Sequence, residues 1–261
     1  MVGVSVRSGK VTVRVDHTEV LSAAVAVPPT VRIAFTGATG GKTDNHVVSK
    51  ASIVAGGHPV PGPGGSWTYN GAAATSGSDT RLTPASPNLA GSVVYATPVR
   101  AIGLRTTFNV QLTGGTGGDG MTFAMLKPKT TTSSTVGGSG GMLGLGTANG
   151  VPGLGVVLDT NGRTSPDGFV GLSVNVGANG LRYQRKAQGI GVLNAGTHTV
   201  TVNVTRSSTL GPIVTVYLDG AQVLQRAEPG LTRMVRLAFT AGTGATTDIQ
   251  IVRNVAISAS G

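Results

Sequence analysis

The chain has 261 residues, of which 39% are hydrophobic, 42 are glycine and none is cysteine. That apolar content excludes general disorder, and the lack of cysteine excludes a disulfide framework and thiolate metal sites. Twenty basic against ten acidic residues give a formal charge of +10, which favours anionic partners. The basic residues are scattered, however, and only Arg182–Lys186 is dense. With one tryptophan and 4% aromatic residues, stacking platforms for bases are scarce, so nucleic acid is not an expected partner. No apolar run approaches the ~18 residues of a membrane-crossing helix. The start of the chain alternates and is broken by Arg7, so it does not read as a secretory leader.

Residues 1–55 alternate at Val11–Val15 and Val31–Phe35, and Val47–Val54 is also strand-like. Val20–Val27 is the best helical stretch but is stopped by Pro28-Pro29 and reads equally as strand. This segment repeats the end of the chain. VTVRVDHTEVL (11–21) matches VTVYLDGAQVL (214–224), and VRIAFTGATGGKTDNHVVSKASI (31–53) matches VRLAFTAGTGATTDIQIVRNVAI (235–257). The repeat also disposes of GGKT (40–43) as a phosphate-binding loop, because the required upstream glycine is Thr36 and the second copy has no lysine; a hairpin loop is expected. Residues 1–55 are therefore expected to be an ordered partial β-sandwich that packs on the main domain, on another subunit or on a partner chain. Residues 56–65 (GGHPVPGPGG) read as a Gly/Pro linker without a strand, with His58 a linker residue.

Residues 66–261 read as one all-β domain of alternating strands. RTTFNVQL (105–112) places Thr106, Phe108, Val110 and Leu112 on one face. HTVTVNVTR (198–206) and IVTVYLDGAQVL (213–224) alternate likewise, and Asp219-Gly220 is a type I′ hairpin signal. In GLGVVLDTNGRTSPDGFVGLSVN (153–175), two apolar runs flank a loop with Asp159, Asn161, Ser165 and Asp167. Oxygen ligands gathered at a strand end can hold a hard cation such as calcium. GGDGMTFAMLKP (117–128) places Asp119 at a strand entry, where a carboxylate can accept two hydroxyl hydrogen bonds or fasten the turn.

Several of these stretches, with SWTYNG (66–71), GSVVYATPVR (91–100), GGMLGLG (140–146) and VRLAFTAGTG (235–244), resemble the legume-type (L-type) lectins over three quarters of the chain. The resemblance implies an antiparallel jelly-roll sandwich of the concanavalin A kind and a carbohydrate-binding function. It implies a sugar site of Asp119, preceded by a cis peptide, the backbone amide of Gly141, Asn161, and the last loop with Gly242 and Thr243. If Asp119 binds sugar, its oxygens are expected to face solvent in a shallow cleft between loops 137–146, 160–168 and 240–247. It implies a metal loop of Asp159, Asn161 and Asp167, but Val157 and Phe169 stand where the family has an acidic and a histidine ligand, and Ser165 replaces an aspartate. Weak calcium and no transition metal are therefore expected.

Catalysis of glycoside cleavage would need two flanking carboxylates. No Glu-x-Asp-x-x-Glu occurs, the only glutamates are Glu19 and Glu228, and no histidine sits in a nucleophile motif, so the chain is not expected to be an enzyme. Two functions remain: a module that binds cell-surface or cell-wall glycan, or a structural sandwich that has lost its sugar. Both fit an assembly component such as a bacteriophage tail or virion protein, bound to other subunits through residues 1–55 and located outside the cell or on a virion surface.

Overall fold

The computed structural model describes residues 2–7, 10–16, 18–26, 34–39, 41, 45, 47, 58–160, 168–177, 180–187 and 192–259. The chain divides into two compact units, Met1–Ala51 and Ser52–Gly261.

The first unit holds a three-stranded antiparallel meander of β1 (Val2–Arg7), β2 (Lys10–Val15) and β3 (Thr18–Ala24). The stretch that could read as helix or strand is thus strand up to Ala24. Register places Val2, Val4 and Val6 opposite Val15, Val13 and Val11, so the alternation gathers the valines on one face. The second block of the repeat behaves otherwise. Val31–Phe35 was expected to be a strand, yet residues 34–39 form none and Phe35 is 61% exposed. The counterparts of Ala34 and Phe35, Ala238 and Phe239, are held between two neighbouring strands of the second unit, and no such neighbours occur among the described residues of the first. Val47 is also exposed; Lys42, Thr43 and residues 48–54 lie outside the described residues.

The second unit is nearly all β. Its strands are β4 (His58–Val60), β5 (Trp67–Gly71), β6 (Ala74–Ser76), β7 (Asp79–Thr83), β8 (Ala90–Tyr95), β9 (Val99–Arg100), β10 (Arg105–Thr113) and β11 (Gly120–Leu126). After a short 3-10 helix at Gly140–Met142 come β12 (Gly153–Asp159), β13 (Phe169–Gly177), β14 (Gly180–Lys186), β15 (Thr197–Ser207), β16 (Gly211–Leu218), β17 (Ala221–Ala227), β18 (Met234–Gly242) and β19 (Ile249–Ala259). One eight-stranded sheet runs β17-β16-β15-β10-β19-β7-β6, with β4 also on β19; the other runs β14-β13-β12-β11-β18-β8-β5, with β9 on β18. This is the antiparallel jelly-roll sandwich the sequence predicts.

β4 is a departure from the linker reading of 56–65. Pro59 cannot donate to a ladder and so suits a sheet edge, and Val60 pairs with Ile257 and is buried in the core. The side chain of His58 lies outside what is described. At the β16–β17 turn, Asp219 and Gly220 both have positive φ, 50° and 84°, as a type I′ turn requires. Asp219 also accepts from the Thr199 N–H and pairs with His198 at 2.7 Å, which gives His198 a structural role.

The core lies between the sheets. Phe108 of the first meets Phe239 edge-on at 5.0 Å and Phe123 at 5.7 Å, and those two are cross-strand partners 5.3 Å apart on the second. All three are fully buried. The second sheet is buried on its outer face as well. Val94, Ala124, Leu126, Val157 and Ala238 form a second apolar layer with Leu143 and Leu145, which descend from the 137–146 segment. Burial on both faces explains why MTFAML and LGVVL are continuous apolar runs while RTTFNVQL alternates. Among the described residues no helix is long and apolar enough to cross a membrane.

Phe239→Ala should destabilise the second unit by about 3–5 kcal/mol, read by urea unfolding. Phe35→Ala, at the repeated position in the first unit, should change stability by less than about 0.5 kcal/mol, as exposed substitutions do.

Candidate functional site

Asp119 stands immediately before β11, the strand held between β12 and β18. Gly120 is opposite Asp159 on one side and Gly242 on the other, and a side chain on Gly120 would meet the Leu158 carbonyl at 2.2 Å, so three strand ends close tightly here. The Asp119 N–H donates to the Gly242 carbonyl at 3.2 Å, and its carbonyl accepts from the Thr160 N–H at 3.0 Å. The Gly118–Asp119 peptide is cis, as the resemblance implied.

Two glycine-bearing loops roof this aspartate. A Cβ on Gly244 would lie 2.7 Å from Asp119 Oδ2, and one on Gly140 would lie 3.8 Å from it. The loops are stitched by the Gly140 N–H donating to the Thr243 carbonyl at 2.9 Å. Leu143 and Leu145, sunk in the apolar layer, hold the Gly140 segment down, and Thr240 Oγ1 donates to the Leu143 carbonyl at 2.7 Å. The result corrects one expectation: Asp119 is only 2% exposed, and its oxygens do not face solvent. With hydrogen in place of side chains at Gly140 and Gly244, the loops approach the carboxylate directly.

Thr243 is fully buried, its hydroxyl donating to the Ser86 carbonyl at 2.6 Å and accepting from the Leu89 N–H at 3.0 Å. Gly242 is buried too. Gly141 is half-buried, and the bonds of its 3-10 turn begin with the N–H groups of Met142 and Leu143, so its own N–H precedes the first of them. Asp119, Gly141, Gly242 and Thr243 are therefore brought together, but mostly as a floor. Thr116 and Ala245 of the flanking loops are exposed, and Gly117, Gly140, Gly141, Gly244 and Thr246 are partly so. Asn161 lies outside the described residues.

A second carboxylate went unread in the sequence. Asp248 is 2% exposed, accepts from Thr160 Oγ1 at 3.4 Å and from the N–H groups of Gly117 and Gly118. Burial pushes its carboxyl above the usual carboxylate range, against the lowering effect of these donors, and the neighbouring Asp119 charge raises it further. The signal was present: an acidic residue closing the Gly- and Thr-rich loop 242–248 in a chain with only ten acidic residues.

The metal-loop residues are engaged differently from a ligand set. Val157 is fully buried in the outer apolar layer. Phe169 is buried and meets Tyr183 edge-on at 4.7 Å. Lys186 Nζ sits 4.1 Å from the Phe169 ring centre and 4.8 Å from that of Tyr183, within cation–π range. The Tyr183 hydroxyl donates to Asp159 Oδ2 at 2.6 Å. Among the described residues no group of three His, Cys, Asp or Glu side chains is placed to hold one ion; Asp167 lies outside them. The residues that are described do not fit a two-metal lectin site.

No protein-family model and no curated protein sequence matches the chain. Solved structures do. A lectin from Bauhinia forficata in complex with GalNAc is similar with a TM-score of 0.61 at 23% identity, over 75% of this chain and 93% of that one. The exoplasmic/lumenal domain of VIP36 in its Ca2+/Man-bound form gives 0.58 at 17% identity, over 74% and 82%. The carbohydrate recognition domain of Emp46p in its metal-free form gives 0.56 at 14% identity, over 75% and 89%. The chain thus carries the L-type lectin fold.

Proposed function

We propose that the second unit is a carbohydrate-binding module and that glycan binds where loops 114–119, 139–146 and 243–248 meet. The observation that supports this reading is the pair of buried carboxylates, Asp119 and Asp248, beneath a roof of glycine. A rim of Gly140, Gly141 and Gly244 presents backbone to a ligand without side chains in the way. The Gly141 N–H has no backbone acceptor among the described residues and is the proposed donor to a sugar oxygen, with Asp119 as the charged acceptor once the Gly244 loop shifts. Hydrogen bonds to a charged acceptor are the stronger ones. The role is binding rather than catalysis, in keeping with a Bauhinia lectin described with GalNAc and a VIP36 domain described with mannose. Cell-surface or cell-wall glycan is the partner class. A bacteriophage tail or virion surface is the setting proposed for it, with residues 1–55 facing other subunits.

The second reading, a structural sandwich without sugar, draws on the 2% exposure of Asp119 and the full burial of Thr243. A glycan array separates the two. Under the binding reading the wild type gives specific hits, and Asp119→Asn loses about 1.5–3 kcal/mol per hydrogen bond to the charge, roughly a tenfold to hundredfold loss of affinity, with the fold retained. An array empty for the wild type across bacterial cell-wall sugars would leave the structural reading.

Any metal dependence is proposed to be slight. With Val157 and Phe169 apolar, weak calcium through Asp159, Asn161 and Asp167 is the most this loop supports, and low charge means low affinity. Chelation with EDTA should leave glycan binding and melting temperature unchanged, and manganese or zinc should not copurify. Stoichiometric manganese bound at Asp159 would contradict this.

Asp248 adds a pH signature. Its folded-state pKa is raised, so the folded protein holds a proton that the unfolded chain releases. The associated stability is full below the unfolded carboxylate range and is lost as pH rises through the folded value. Asp248→Asn removes both the burial cost and the repulsion from Asp119. Its melting temperature should therefore exceed the wild type's at pH 8, with the gap closing toward pH 4. Scanning calorimetry across pH checks this.

A further inference from the structure

Asp248 stands immediately before β19, where it is 2% exposed, and it faces the turn that leads into β11. The loop 114–118 lies directly along residues 246–248: a Cβ on Gly115 would meet the Thr247 carbonyl at 1.9 Å. The Thr116 and Gly117 N–H groups donate to that carbonyl at 2.7 and 3.1 Å, and the Thr247 N–H donates to Thr116 Oγ1 at 3.0 Å. Backbone pairing stops there. The Gly118 N–H has no backbone acceptor among the described residues. It donates instead to the Asp248 carboxylate, which the Gly117 N–H also reaches.

The same carboxylate is tied to the far side of Asp119. The Asp119 carbonyl accepts from the Thr160 N–H at 3.0 Å, and the Thr160 hydroxyl donates to Asp248 Oδ2 at 3.4 Å. A ring therefore runs from Asp248 through Gly118, Asp119 and Thr160 back to Asp248. The Asp119 N–H donates to the Gly242 carbonyl, which also accepts from Nε2 of the fully buried Gln250 at 3.2 Å. The Asp119 backbone is thus held on every side, and its side chain takes its direction from that backbone. Asp248 holds this place against the fold: burial pushes its carboxyl up and the Asp119 charge adds to this, opposing its three donors. Two buried carboxylates that repel each other work against folding, whereas a carboxylate that aims Asp119 works for binding.

We infer that Asp248 is a positioning residue of the sugar site: through the Gly117–Gly118 turn it fixes the direction of the Asp119 carboxylate, and glycan affinity depends on it. The inference rests on the glycan reading of these loops. It requires stability and affinity to respond to Asp248 in opposite senses, which a residue that merely supports the fold does not do.

The full-length chain is tested on a panel of immobilised mannose, GalNAc and bacterial cell-wall glycans. Asp248→Ala leaves the two glycine N–H groups without a carboxylate, and it should bind the wild type's tightest panel glycan about tenfold or more weakly. In the free protein its Gly118 amide should exchange about tenfold faster or more, while residues 121–126 exchange as in the wild type. Asp248→Asn keeps one side-chain oxygen of the two and should bind about threefold more weakly, although its melting temperature at pH 8 exceeds the wild type's. That opposition separates positioning from support of the fold, and it decides the point should Asp248→Ala loosen β11. Unchanged affinity in either variant, or a loss of affinity in Asp248→Asn accompanied by a lower melting temperature, overturns the inference while wild-type binding upholds the glycan reading. A panel to which the wild type itself does not bind overturns the glycan reading, and the inference with it.

Discussion

The candidate site depends on a sheet that is buried on both faces. Leu143 and Leu145 fill the outer apolar layer over Ala124, Val157 and Ala238, and this pins the 137–146 segment across the second sheet. Removing a leucine of this kind from water stabilises by about 1.5–3 kcal/mol. Because the segment is pinned at Leu143, Gly140 falls over Asp119 and its N–H reaches the Thr243 carbonyl. The roof of the site is thus a consequence of packing one turn away from it. The same layer buries Val157 completely, so this position serves the core of the strand.

Much of the fold was legible because its physics is local. The alternation of Thr106, Phe108, Val110 and Leu112 maps onto the buried face of β10, and Asp219-Gly220 makes the turn its residue types demand. What was hidden depends on distant neighbours. Ala34 and Phe35 repeat Ala238 and Phe239 in sequence, yet a strand needs flanking strands, and the described part of the first unit provides none for them. Pro59 masked a short edge strand, since a proline-rich stretch reads as linker until a neighbour such as β19 is known. The exposure of Asp119 could not be read either, because it depends on two glycines, 21 and 125 positions away in sequence, that bring backbone onto it.

The β12–β13 strand end shows how a buried aromatic residue recruits its surroundings. Phe169 brings an aromatic face to the strand end, Tyr183 packs against it and donates to Asp159, and the Lys186 ammonium lies over both rings. The dense basic stretch 182–186, which as sequence read only as charge, here sets a side-chain cation beside a carboxylate-bearing strand end. Neither tyrosine nor lysine was singled out in the sequence, because their partners come from three different strands, β12, β13 and β14.

The central claim is that glycan binds over Asp119. An amide NMR titration of the isotopically labelled chain with the best-binding array glycan tests it most directly. Saturable shift changes should concentrate at residues 116–119, 140–142 and 243–248, leave the β15–β17 edge unmoved and vanish in Asp119→Asn. Saturable changes confined to any other surface, or changes at these loops that persist in Asp119→Asn, would contradict it.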